Sequence, residues 1–92
     1  MQRDRILQRI RSGHSLAYTG IWANAANEAG RTDICLFAKT DGIAVQIERY
    51  LDKFWEASDL WEEDSIRVVE TLEEADEILC SYGIVLEDLE PR

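Results

Sequence analysis

The chain has 92 residues, 46% of them hydrophobic and 32% charged, with a formal net charge of −9. That length permits one domain around a single modest core, and the composition excludes an intrinsically disordered chain. The charge disfavours direct binding of nucleic acid or of an anionic membrane, because phosphate contacts need Lys and Arg.

The imbalance is local. Residues 1–50 carry seven bases against five acids, whereas residues 51–92 carry three bases against fourteen acids. The acidic half favours basic partners, including proteins that themselves handle nucleic acid. No apolar run is long enough for a secretory leader or a membrane span. The expected compartment is therefore the cytoplasm, where Cys35 and Cys80 remain thiols.

In chain order, "QRDRILQRIRS" reads as a helix over residues 2–12, with Ile6, Leu7 and Ile10 on one side and Gly13 as its stop. Residues 14–31 fit two patterns. As a strand, Leu16, Tyr18, Gly20 and Trp22 share a face; as a helix, Ile21, Trp22, Ala25, Ala26 and Ala29 form the stripe. The strand is preferred over residues 15–23, followed by a loop, because Asn24, Asn27 and Gly20 weaken a helix.

"TDICLFAKTDGIAVQIERY" contains Asp41-Gly42 between two alternating runs, a strong hairpin signal. Setting Thr40 opposite Ile43 pairs Ala38 with Val45, Leu36 with Ile47 and Ile34 with Arg49. One face then collects the apolar residues, and the other takes Asp33, Lys39, Gln46 and Glu48. A helix starting near Ile43 competes, since Ile43, Ile47, Leu51 and Phe54 also recur at helical spacing.

Beyond the hairpin, "YLDKFWEASDLWEED" fits a helix over residues 51–62. On its wheel Tyr50, Phe54, Ala57 and Trp61 fall on one arc, with Asp52, Glu56, Asp59 and Glu63 in a stripe opposite and Trp55 at the stripe's edge. Like charges one turn apart cost roughly 0.2–0.5 kcal/mol per pair, a repulsion that pairing with the arginines of the first helix or a basic partner surface would offset, or that a solvated face simply tolerates. "SIRVVE" is a short β-rich run over residues 65–70. "TLEEADEILCSYG" is a helix over 72–82, opened by a Thr71/Glu74 capping box and closed by Gly83, with Ile84 folding back on Leu79. The tail "VLEDLEPR" is expected to be extended and frayed.

No motif carries catalytic chemistry. His14 is the only histidine and follows a helix stop, with neither a nucleophile context nor an orienting group beside it. Cys80 sits among Asp76 and Glu77, whose field opposes thiolate formation. Cys35 alternates away from the apolar face of the hairpin. There is no CxxC, no phosphate loop and no metal-cage spacing. The expectation is a non-enzyme with neither cofactor nor metal.

In size, acidity, tryptophan use and lack of catalytic motifs, the chain is similar to small inhibitor proteins. Among these are barstar-like immunity proteins that block nuclease toxins, and phage anti-CRISPR and anti-restriction proteins. The likeness is one of composition and transfers no residue.

The expected fold is α+β: a small antiparallel sheet around the 33–49 hairpin, covered on one face by helices at 2–12, 51–62 and 72–82. The expected function is masking of a basic, nucleic-acid-handling protein, in the manner of a DNA mimic. Asp52, Glu56, Asp59, Glu62, Glu63 and Asp64 supply the field, Trp55 the anchor, and Glu73 and Glu77 a second patch. The alternative is a homo-oligomeric accessory protein, in which the basic first helix of one copy docks on the acidic half of another.

Overall fold

The computed structural model describes residues 2–92. Its elements run α1 (Arg3–Arg11), β1 (Leu16–Ala23), β2 (Ala29–Lys39), β3 (Gly42–Leu51), two 3-10 turns (Asp52–Phe54 and Ser58–Leu60), β4 (Glu63–Val69), α2 (Leu72–Cys80), a 3-10 turn (Leu86–Asp88) and β5 (Glu90–Pro91). The strands form one antiparallel sheet in the order β4-β3-β2-β1-β5. The α+β class is as expected, but two helices cover the sheet rather than three.

Alternation decides which face is covered. Leu16 of β1, Ile34 and Leu36 of β2, and Ile43, Val45 and Ile47 of β3 point to one side and are buried. Against them pack Ile6 and Ile10 of α1, Leu72, Ala75 and Leu79 of α2, and then Ile84, Leu86 and Leu89. The two isoleucines that hold α1 are essentially unexposed, worth roughly 3–6 kcal/mol of burial together. The opposite face of the sheet, the open face, has no helix over it.

The α2 punctuation is present as read. The Thr71 hydroxyl accepts from the Glu74 backbone N–H at 3.2 Å, and Gly83 takes a left-handed φ of 79°. Four other expectations fail.

The hairpin exists, but Lys39 pairs with Gly42, Ala38 with Ile43, Leu36 with Val45 and Ile34 with Ile47. The turn is Thr40-Asp41, two residues from the expected register. A slip of two keeps every side chain on its face, so apolar separation could not reject it. Tertiary contact sets the register: Gly42 belongs to β3 at φ 154°, and a Cβ there would meet the Val69 carbonyl oxygen of β4 at 2.3 Å.

The loop after β1 is shorter than expected, because β2 starts at Ala29. Asn24 makes this turn possible: its side-chain oxygen accepts from the backbone N–H of Ala26 and Glu28.

The helix over 51–62 is absent. β3 continues to Leu51, which pairs with Gly30, and the chain then crosses to β4 in two single turns. Pairing and aromatic packing override the helical period: Trp61 stacks on Tyr50 with ring centroids 4.9 Å apart, and its indole N–H donates to the Phe54 carbonyl at 3.0 Å. The i, i+4 repulsion inferred for an acidic helix stripe therefore does not arise.

The tail is not frayed. Leu86 and Leu89 are buried, and Glu90 and Pro91 pair with Ala17 and Leu16. Among the described residues no helix is long and apolar enough to cross a membrane.

Candidate partner-binding surface

The connection 52–62 folds back over one end of the open face. Trp61 is pinned to Tyr50, whose hydroxyl donates to Asp33 at 3.0 Å. This anchoring leaves the acids outside: Asp52, Glu56, Asp59 and Glu62 are all exposed. Trp55 is 63% and Leu60 54% exposed among them. Trp55, Asp52, Arg31 and Tyr50 line a shallow depression of about 240 Å³.

Next to this loop the sheet itself presents carboxylates. The β2–β3–β4 register sets Asp33 opposite Glu48 and Glu48 opposite Asp64, so three acids cross the open face in one row. Adjacent strands lie about 4.8 Å apart, and like charges directly opposite are destabilising. Burial raises the Glu48 pKa above its ordinary 4.5, and the charges of Asp64 and Asp33 push it the same way. A depression of about 370 Å³ beside the row is lined by Thr19, Cys35 and Arg92 among others.

A raised carboxyl pKa means that the folded state holds the Glu48 proton more tightly than the unfolded chain does. Ionised Glu48 therefore opposes folding at neutral pH, and the opposition fades as pH falls towards the ordinary value of 4.5 and is gone below it. Glu48→Gln is expected to stabilise the protein by about 0.5 kcal/mol at pH 7 and to lose that advantage in acid, as read by urea unfolding at both pH values.

Asp52, Trp55 and Asp64, with the exposed acids between them, belong to this end of the open face. Glu63 does not. It turns to the helix-covered face, where its carboxylate accepts from the Tyr82 and Ser65 hydroxyls. Glu73 and Glu77 lie on α2, across the sheet from Trp55, and form a separate patch. Sequence reasoning missed Asp33 and Glu48 as site residues. Their polar face was legible; their alignment with Asp64 needed the β3–β4 register.

The Glu63 contact has its own consequence. Burial, then the bond to Glu63, pushes the Tyr82 hydroxyl up to about 12. The Arg49 guanidinium lies over the Tyr82 ring at 5.3 Å and over the Trp22 ring at 4.8 Å, and it donates to Thr32 at 3.0 Å. The stability tied to this raised pKa is complete below pH 10 and is lost as pH rises from 10 towards 12. Tyr82→Phe is expected to flatten the decline in unfolding free energy over that alkaline range.

Three ion pairs join the described residues: Arg3 with Asp76 at 2.7 Å, Arg3 with Glu87 at 3.6 Å, and Lys53 with Glu28. None of them engages Asp52, Glu56, Asp59, Glu62, Asp64, Glu73 or Glu77. The basic helix thus spends Arg3 on Asp76 of α2 and Glu87 of the C-terminal segment, both outside this surface. His14 is exposed beside Arg5 and Arg9. Cys80 is exposed and Cys35 half-buried, and no group of metal-ligating side chains occurs among the described residues. No protein-family model, curated protein or solved structure matches the chain.

Proposed function

We propose that this chain is a non-enzymatic inhibitor that docks on a basic, nucleic-acid-handling protein and masks its anion-binding surface. The observation that supports this reading is the 52–62 connection: an exposed tryptophan and leucine framed by four exposed carboxylates that no base among the described residues pairs with. Aromatic anchors surrounded by polar residues are the usual composition of a binding hot spot. The unpaired acids steer a basic partner towards it and make the encounter fast and salt-sensitive.

Charge density limits the mimicry. Duplex DNA carries one charge per about 1.7 Å of axis, whereas a cross-strand row carries one per about 4.8 Å. The row Asp33–Glu48–Asp64 alone is too sparse to replace a duplex. Loop and row together supply seven acids over one end of the molecule, enough to compete for a basic groove without copying the helix.

The assembly of copies through α1 and the acidic half is less favoured, since Arg3 is already paired within the protomer. The test immobilises the wild-type chain and an Asp52→Lys/Glu56→Lys/Asp59→Lys/Glu62→Lys variant and exposes both to lysate. Proteins held by the wild type alone, released by high salt and displaced by duplex DNA, are the expected result. Equal retention of the same proteins by both would remove the reading.

A further inference from the structure

The two edges of the sheet differ. One is broken: two-residue β5, ending in Pro91, covers only Leu16 and Ala17 of β1, and the rest of β1 carries Gly20. The other is β4, seven residues paired to β3 on one side only. Natural edges repel further strands with charged side chains, lysine above all, and with proline, bulges or very short strands; β4 carries the charges of Glu63, Asp64 and Arg67. "EDSIRVV" has no proline, glycine or lysine, and each of its residues is paired to β3 without a break. Ile66 is 51% and Val68 41% exposed on its open-face side.

We propose that β4 pairs antiparallel with β4 of a second copy about a two-fold axis, joining two sheets into one of ten strands. Full overlap of Glu63–Val69 places Ile66 on the axis, opposite Ile66 of the second copy. Asp64 then meets Val68, Ser65 meets Arg67, and Glu63 meets Val69. On the open face Ile66 and Val68 of both copies close into one apolar cluster that neither has alone. On the covered face each Arg67 stands opposite Ser65 of the second copy, diagonal to its Glu63 on one side and to its Arg67 on the other.

Neighbouring registers are worse. Centring on Arg67 shortens the overlap to Ser65–Val69 and sets two arginines directly opposite, and centring on Ser65 shortens it to Glu63–Arg67 and leaves both Val68 side chains without a strand partner. In the Ile66-centred register the two Asp64 residues stand four positions apart along the joined strands. That is about 13 Å, beyond a Debye length at 0.1 M salt. The acidic rows of the two copies therefore share one face without confronting each other. Such an interface is self-complementary and closes at two copies. It leaves the 52–62 connection of each copy outside the shared strand pair and involves only Asp64 of the acidic row.

Sedimentation equilibrium of the purified chain is expected to give twice the protomer mass. Ile66→Lys sets two ammonium groups on the axis and is expected to weaken the dimer at least about 100-fold while circular dichroism stays unchanged, because Ile66 is exposed in the protomer. In a Cys35→Ser/Cys80→Ser background, Ile66→Cys is expected to oxidise to a covalent dimer, since position 66 meets itself, and Val68→Cys is not. A monomer at every concentration, or a dimer indifferent to Ile66→Lys, would overturn the proposal.

Discussion

Leu86→Ala is expected to destabilise the protein by about 3 kcal/mol, lowering its melting temperature by roughly 12–24 °C. Leu86 is fully buried in the core cluster although only six residues of the sequence follow it. Its backbone N–H donates to Asp76 at 3.1 Å, and the same carboxylate accepts from Arg3 at 2.7 Å. One acid of α2 thus ties α1 and the C-terminal segment together, and truncation of the leucine opens a cavity beneath both. A domain of this size has only about 5–15 kcal/mol in total, so the loss is a large share. The neighbouring Val85 is 40% exposed, and Val85→Ala is expected to stay within about 0.5 kcal/mol. Thermal unfolding of the two variants side by side checks this, and near-equal effects would mean that the tail is not a core element.

That contrast also shows what could be seen in the sequence. Elements whose signal is local were legible: α1 from its apolar spacing, α2 from Thr71, Glu74 and Gly83, and the hairpin from its alternation. Three features were set by distant partners. Leu86 and Leu89 look like any acidic tail's leucines until β1 offers an edge to pair with. The 52–62 stretch has a helical wheel good enough to mislead, yet Trp61 gains more by stacking on Tyr50 than by completing a helical arc. Gly42 reads as a turn residue, but the approach of the Val69 carbonyl makes it a strand residue. The acids of the candidate surface were legible as a composition; their arrangement was not. Neither Asp33 nor Glu48 stood out among nineteen acids until the register laid them beside Asp64.

The arrangement separates two contributions to partner binding that composition alone merges. Trp55→Ala is expected to weaken binding of the captured partner by about 30-fold or more, equally at low and high salt, because it removes an anchor and no charge. The quadruple lysine variant of Asp52, Glu56, Asp59 and Glu62 is expected to slow association by 10-fold to 1,000-fold at low salt, with the deficit shrinking as salt is added. Both sets of side chains are exposed and outside the ion pairs of the fold, so neither variant is expected to shift the melting temperature by more than a few degrees. Trp61→Ala is the informative third case. Trp61 is half-buried, stacks on Tyr50 and holds the Phe54 carbonyl, so its loss unpins the loop that carries Trp55. It should weaken binding and lower stability together, whereas Trp55→Ala weakens binding alone. Stopped-flow association across a salt series, alongside thermal unfolding of each variant, distinguishes the three. If Trp55→Ala bound as tightly as the wild type, the loop would be a solvated connection and not an anchor.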